Sequence, residues 1–598
     1  MASLWAQLRR EPFTGLAAVL TWLRRDWLAA AAAVCWLVGV LVARQRLPYG
    51  VNHTDEAYYS ALSYEFLIGN RPYLDEIAIH QNAGLLLVPF FWVYLAINKT
   101  ADGIVLFNRY LYWAYVIVCS LLAFRLLRRL MGVAVACAAG ALIVTFSYAN
   151  LLTLSYNTFG ALGFFCGVVC SATGVLRPRP GPFLFAGCLF FLSAAFAYPG
   201  LTPVVPVYEL VVLGWLYWRA PRAALRSSLF GLAAGAAVGV VVMGPIALWL
   251  GLSGLHRMLA YMQSAGIATT SSFGKLNVVN VAVFPVHWRK ISLEVGGLCA
   301  LLPITCWLLP RTAWLLAPVF AYVAHRLYDL AWLTGNTPVS LWQMALLLLA
   351  PLCVLLNRQW RDGHFLLALV WFPSFLEMLD VVVTSSNGYW AMSLGSLGAT
   401  VAGVASFVAL LQQLARREPR GRLGLLVVGL TAYCLLFGAQ LDSLFSALYD
   451  ADTTFATHNT PVSVGPFQGA IATASEAAFL KLIDEDLKSL EGKGKTLTVF
   501  DDFATGYLST RLRPRTFTPW VYWGLEAHYM ARLMDATFGR PDQLPDFVLK
   551  IHLGAVTQAV WSKYERDLYR PIINRPQYKY GIFQRVALPP GPPPEMLP

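Results

Sequence analysis

Residues 27–60 read WLAAAAAVCWLVGVLVARQRLPYGVNHTDEAYYS, an apolar run from Trp27 to Ala43 followed within a dozen residues by the adjacent acids Asp55 and Glu56. The run has the length of a bilayer-crossing helix, about 17 to 25 residues, and Arg9, Arg10, Arg24 and Arg25 precede it. That pattern predicts a signal-anchor helix over about residues 27–44 whose far end delivers the two acids to the opposite membrane surface. Similar runs recur to residue 441, separated by short Arg-rich or Pro/Gly-containing connections. With 58% hydrophobic and 13% charged residues in a chain of 598, the composition excludes an ordinary soluble protein. The expected fold is a polytopic α-helical membrane protein of about 13 transmembrane helices, with a C-terminal soluble α/β domain.

The formal net charge of +13 raises nucleic acid as a partner, but the arginines are spread over short loops and form no contiguous basic stripe. Positive-inside topology accounts for them. With a cytoplasmic N-terminus, one side receives Arg125, Arg128 and Arg129, then Arg177 and Arg179, then Arg219, Arg222 and Arg226. The same side receives Arg311, then Arg358 and Arg361, then Arg416, Arg417, Arg420 and Arg422. This alternation requires a single span, about residues 104–123, after the first outer loop, so that Leu85–Ile97, about 13 residues, rests on the outer surface without crossing. Arg44 and Arg46, at the outer end of the first helix, either serve a function or snorkel.

The segments are then a cytoplasmic stretch 1–26, a membrane domain 27–449 containing the outer loop 45–103, an outer α/β domain 450–587 and a Pro-rich disordered tail 588–598. Within the outer domain the pattern predicts a helical run from about Gln468 to Leu490 and strands at Thr496–Phe500, Phe547–Ile551 and Tyr578–Val586. All ten cysteines lie in apolar segments, so neither a disulfide framework nor a Cys-based zinc site is expected.

The first outer loop carries Asp55-Glu56-Ala57-Tyr58-Tyr59, Gly69-Asn70-Arg71-Pro72-Tyr73-Leu74-Asp75, His80-Gln81-Asn82-Ala83-Gly84 and Asn108-Arg109. Over residues 50–110 this arrangement resembles the GT-C superfamily of polyprenyl-phosphate-sugar glycosyltransferases, the group that includes the protein O-mannosyltransferases and the lipid A aminoarabinose transferase. The resemblance implies an inverting transfer from a polyprenyl-phosphate-linked sugar to an envelope acceptor at the periplasmic face of a bacterial inner membrane, with Asp55 as general base. Many relatives have Pro-Pro after the second acidic motif, often preceded by Lys or His. Asn82-Ala83 stands there in this chain, so a lipid-phosphate contact by such a Lys does not carry over.

The chemistry accounts for those residue types. Transfer to a hydroxyl needs a base for the acceptor proton, which a carboxylate within hydrogen-bond reach supplies. The leaving phosphate is a weak base and needs cations more than a proton. Glu56 is expected to orient the acceptor or to tune Asp55 by like-charge repulsion. The competing reading is that both acids only favour the first turn of a helix beginning near Thr54; the spaced Pro72-Tyr73, Asp75 and Arg109 weigh against it. Asp75 is a third catalytic candidate or a turn residue. His80 is a candidate contact to the donor phosphate or sugar, or an interfacial histidine of no special role. Tyr58, Tyr59 and Arg109 are acceptor or support residues, Arg109 tying the surface helix to the second span.

A second outer segment, 252–292, adds His256, Arg257 and Lys275 as phosphate-binding candidates or headgroup contacts. Its Ser/Thr/Gly-rich stretch 264–276 has the composition of a lid. Glu377 and Asp380, three apart on one helical face and followed by Asn387, default to function because ionisable groups within a span are costly. Their alternative is a structural cluster with His325, Arg326 and Asp329, Arg326 being also a donor-site candidate. A divalent metal is possible but not indicated, because the loop lacks a dense acidic cluster. Membrane lipids and the envelope acceptor are the other expected partners. The rivals are a lipid-linked saccharide flippase, which predicts repeat symmetry that the sequence lacks, and an O-antigen ligase or polymerase, which would centre on a later outer loop. A catalytically silent scaffold is the third.

Overall fold

Apolar helices packed on one another make up most of the molecule. The computed structural model describes residues 26–264 apart from 77, 79 and 149; 300–316; 338–357; 360–384; 388–446; 455–519 apart from 501, 502 and 517; 544–551; 568–586; and the single positions 297, 318, 561 and 562. Nine described helices are long and apolar enough to cross a membrane: Trp27–Arg46, Gln81–Asn98, Ile104–Leu130, Tyr156–Val175, Pro199–Arg219, Arg222–Val242, Arg361–Thr384, Met392–Arg417 and Pro419–Phe445. Val133–Val144, Gly181–Ala197 and Leu347–Leu356 are shorter apolar helices. The chain is a polytopic helical membrane protein with a C-terminal sheet domain.

One helix departs from expectation. Gln81–Asn98 is 18 residues, long enough to cross, where a surface stretch of about 13 was expected. Its extra turn is polar in sequence yet buried, because Gln81 Oε1 accepts the Tyr73 N–H at 2.7 Å and Asn82 Oδ1 accepts the Tyr73 hydroxyl at 2.8 Å. Hydropathy does not register side chains whose polar groups are satisfied from outside the helix. Gly84 lets this turn lie against the helix Asp55–Leu67, since a Cβ there would come within 2.9 Å of the Leu62 Cβ.

The C-terminal domain is a five-stranded mixed sheet in the order β4-β3-β5-β7-β6, from Thr496–Phe500 (β3), Arg513–Pro514 (β4), Phe547–Ile551 (β5), Tyr569–Arg575 (β6) and Tyr580–Arg585 (β7). β3 runs parallel to β4 and β5, and β7 is antiparallel to β5 and β6. Its helix, Ala474–Lys488, begins later than the expected start near Gln468, because Thr473 and Glu476 form a capping box. A two-stranded ribbon of Thr460–Pro461 (β1) and Ile471–Ala472 (β2) precedes the sheet.

That domain fastens onto the first loop through backbone. Ile471 N–H donates to Pro48 O at 2.7 Å and Gly50 N–H to Ile471 O at 2.9 Å, so the loop adds to the ribbon. Gly103 and Val105 N–H donate to Gly465 and Pro466 carbonyls, satisfying donors that the start of helix Ile104–Leu130 would otherwise leave unpaired. Lys488 adds an ion pair to Asp102 at 3.1 Å.

Candidate active site

The acids Asp55 and Glu56 open the helix Asp55–Leu67. Thr54 occupies the cap position but its hydroxyl caps nothing; Asn52 Oδ1 accepts the Glu56 N–H instead, at 3.0 Å. Consecutive helical positions point about 100° apart, which is 3.6 residues per turn, and the two acids meet different surroundings. Glu56 is 2% exposed and ion-paired to Arg109, whose Nε lies 3.1 Å from Oε2 and whose Nη2 donates to the same oxygen. Arg109 also donates to the carbonyls of Leu47 at 2.7 Å, Tyr49 at 3.3 Å and Gly50 at 3.0 Å, so it binds the second span, the loop entry and the helix together. Arg46, itself buried, donates to Tyr49 O and Leu444 O. Arg46, Glu56 and Arg109 line a small pocket with Asn52 and Asn150, in which two guanidiniums face one carboxylate.

Asp55 is half-buried and within electrostatic reach of Tyr156, which belongs to an aromatic wall. Tyr156 stacks parallel on Tyr198 at 5.5 Å between ring centres, and His80 lies 4.3 Å from Tyr156 on the loop side. Tyr58 meets His80 Nδ1 at 3.3 Å and packs beside Tyr59, which reaches Tyr156 in turn. Burial pushes the His80 imidazole down to about 4. At neutral pH it is therefore uncharged and offers a hydrogen bond rather than a cation.

The wall extends to the later acids. The Tyr198 hydroxyl is 2.7 Å from Thr384 Oγ1, and Gly200 leaves room for Asp380, whose Oδ2 would lie 2.9 Å from a Cβ at that position. Glu377 is 4% exposed and both acids act electrostatically on Tyr198. Asp55, Glu377 and Asp380, far apart in sequence, thus border one aromatic surface.

Asp75 lies elsewhere, in a loop ion pair. Arg71 donates to it from Nε at 3.1 Å, Nη2 at 2.9 Å and the backbone N–H at 2.8 Å, and Arg513 approaches to 3.7 Å. Partial burial alone would raise its carboxyl, but the Arg71 hydrogen bonds and charge outweigh that and hold it below the ordinary value. Lys275, Arg326 and Asn387 lie outside the described residues, as do His325, Asp329 and the stretch 265–276. His256 and Arg257 fall on helix Arg222–Ser264, whose course is described there without their side chains.

Two buried acids escaped the sequence reading. Glu65 is 2% exposed and Glu76 fully buried, and each turns an oxygen without a hydrogen-bond acceptor's usual donor, Oε1 of Glu65 and Oε2 of Glu76, into the interior. A lone acid on the same helical face as Tyr58 and Leu62 was the available signal for Glu65. Among the described residues no three His, Cys, Asp or Glu side chains gather as a metal site.

Solved structures give only distant likenesses. The oligosaccharyltransferase AglB of the archaeon Archaeoglobus fulgidus, solved with an inhibitory peptide and a dolichol-phosphate, is 11% identical, with 95% of this chain and 76% of that one covered and a TM-score of 0.49. The oligosaccharyltransferase of the same organism with zinc and sulfate is also 11% identical, covering 86% of this chain and 68% of that one, at a TM-score of 0.48. The chain matches no protein-family model and no curated protein. Likeness that remote says nothing about chemistry. Function has to come from the loop itself, where the C-terminal domain encloses His53 with Phe503, Phe467 and Phe479 at 5.0, 5.8 and 5.9 Å between ring centres and a 3.2 Å contact from Thr505 Oγ1. The residue two before Asp55 is thereby held from outside the membrane helices.

Proposed function

We propose that the protein is an inverting membrane glycosyltransferase of the GT-C type that moves a sugar from a polyprenyl-phosphate carrier to a hydroxyl of an envelope acceptor, on the periplasmic side of a bacterial inner membrane. The observation that carries the reading is the division of labour in the first loop. Glu56 pairs with Arg109 and Asp75 with Arg71 in the loop, and Asp55, on a helix fixed from behind by the Glu56–Arg109 pair, borders the aromatic wall of His80, Tyr156 and Tyr198.

In the reaction Asp55 takes the acceptor proton as the acceptor oxygen bonds to the anomeric carbon. The bond from that carbon to the carrier phosphate breaks with its electron pair on the phosphate oxygen, and displacement from the opposite face inverts the centre. Tyr156, the part-exposed member of the wall, is the ring that meets a sugar, with the buried Tyr58, Tyr59 and Tyr198 packed behind it, and Glu377 and Asp380 border the same surface as acceptor-side residues. Arg46 and Arg109, two cations against one carboxylate beside the start of the Asp55 helix, supply positive charge at the outer end of the first span. Glu56 and Arg109 act as positioning residues.

The test is transfer by purified protein in lipid nanodiscs, with a panel of polyprenyl-phosphate sugars and envelope acceptors. Wild type transfers at least one sugar, and Asp55→Asn loses about 10²- to 10⁴-fold, the usual worth of a general base. Equal transfer by a folded Asp55→Asn protein removes Asp55 from the chemistry.

A further inference from the structure

Glu65 and Glu76 form an arrangement that the transfer chemistry does not use. Both are buried, at 2% and 0% exposure, and their carboxyls act on one another at close range. Each has one oxygen already served: Glu65 Oε2 by the Asn70 amide at 3.0 Å, and Glu76 Oε1 by the Ala78 N–H at 2.6 Å. Among the described residues no donor reaches the remaining oxygens, Oε1 of Glu65 and Oε2 of Glu76. Two carboxylates are acceptors only, so a hydrogen bond between them requires a proton on one.

The neighbours supply no substitute for that proton. Asp75 adds negative charge toward Glu65, and Tyr507, from the C-terminal domain, stands within electrostatic reach of both acids while its hydroxyl accepts the Val499 N–H. The cations close by are turned elsewhere, Arg71 to Asp75, and Arg513 to Asp75 and to Asn70 Oδ1. Burial lifts Glu65 to about 8, and burial with the charge of Glu65 lifts Glu76 well above the carboxylate range.

A line of hydroxyls leads from the pair to the wall. Thr518, 1% exposed, lies beside Glu76 and donates to the Tyr58 hydroxyl at 3.4 Å, which meets His80 Nδ1 at 3.3 Å. The pair also sits where two parts of the molecule join. Asn70 donates to Pro514 O at 3.3 Å, and the Tyr64 hydroxyl to Thr510 O at 3.3 Å, both acceptors belonging to the C-terminal domain.

We propose that Glu65 and Glu76 share one proton and act as a latch between the first loop and the C-terminal domain, a pair of positioning residues that hold Tyr58 and His80 through Thr518. While the proton is present the two acids attract. When it leaves, two like charges face each other in a site that water does not reach, and the loop 70–80 separates from the helix Asp55–Leu67 and from Thr518. The link to catalysis rests on the glycosyltransferase reading; the latch itself does not.

Amide hydrogen exchange of the full-length protein in nanodiscs, corrected for the intrinsic pH dependence of exchange, separates the two. In wild type, protection over residues 58–81 is constant below the ordinary carboxylate value and falls as pH rises from there toward about 8, by up to tenfold per pH unit for one proton. Glu76→Gln keeps the contact, its amide donating to the Glu65 carboxylate, and abolishes the fall; Glu65→Gln serves if Glu76→Gln does not fold. In a transfer assay the same variant keeps its rate at alkaline pH where wild type loses it. Protection in wild type that holds unchanged to pH 10, or a fall that persists in both Gln variants, overturns the latch. A normal exchange result in a protein that transfers no sugar leaves the latch standing and removes the glycosyltransferase reading.

Discussion

Glu56 and Glu65 lie on one helix, both 2% exposed, and solve the same problem in opposite ways. Glu56 keeps its charge and is met by Arg109, which also gathers three loop carbonyls. Glu65 has no such cation and meets Glu76, so its charge is removed by a proton instead. A buried carboxylate costs several kcal/mol unless paired or neutralised. The ion pair is held by opposite charges, and the acid pair depends on a proton. One half of the helix is therefore a fixed anchor for Asp55 and the other a joint that responds to protons.

The largest effect expected from breaking this contrast is at the anchor. Arg109→Met leaves Glu56 buried and unpaired and removes the donor for three carbonyls, at a cost of about 3–5 kcal/mol. The melting temperature in nanodiscs should drop sharply, and adding Glu56→Gln should recover part of the loss. If Arg109→Met melts with wild type, the pair is not what fixes the helix.

The acid pair gives a smaller, pH-dependent effect whose sign follows from the raised Glu65 value. The native state holds a proton that the unfolded chain releases near the ordinary carboxylate value. Its contribution to stability is complete below that value and is lost as pH rises toward about 8. Thermal unfolding of wild type between pH 5 and 9 should show this decline, and Glu76→Gln should flatten it. A steeper decline in the variant would contradict a shared proton.

The smallest effect belongs to Asp75. Its partner Arg71 is exposed, and an exposed pair in water contributes little. Asp75→Asn should leave both melting temperature and transfer rate close to wild type. A loss comparable to that of Asp55→Asn would restore Asp75 to the catalytic group.

How much of this the sequence discloses depends on whether a feature is local. The first span and the strands Thr496–Phe500 and Phe547–Ile551 are read at or near their observed bounds, because hydropathy and β-propensity act over a few residues. β6 is not read, since Pro571 argues against a strand; the structure places it at the sheet edge, where a missing N–H is tolerated. That Arg109 ties the first-loop helix to the second span is read from its place in the motif, but that Glu56, assigned to the acceptor or to tuning Asp55, is its partner across 53 residues is not. Nor is the pairing of Glu65 with Glu76, because the turn between them is closed by Asn70, Tyr73 and Gln81, each read separately as an ordinary polar or aromatic loop residue. Asn82 shows the same limit. A departure from the Pro-Pro pattern, it is the acceptor for Tyr73, a bond that proline has no side chain to make.

The central claim is that two neighbouring acids have different work, Asp55 on the substrate and Glu56 on the fold. The direct measurement is the sugar-transfer rate of Asp55→Asn and of Glu56→Gln, each alongside its melting temperature, in the same nanodiscs. The account predicts that Asp55→Asn melts like wild type and transfers about 10² to 10⁴ times more slowly, while Glu56→Gln loses stability first and activity with it. Full transfer by Asp55→Asn, or a stable Glu56→Gln protein without activity, would contradict it.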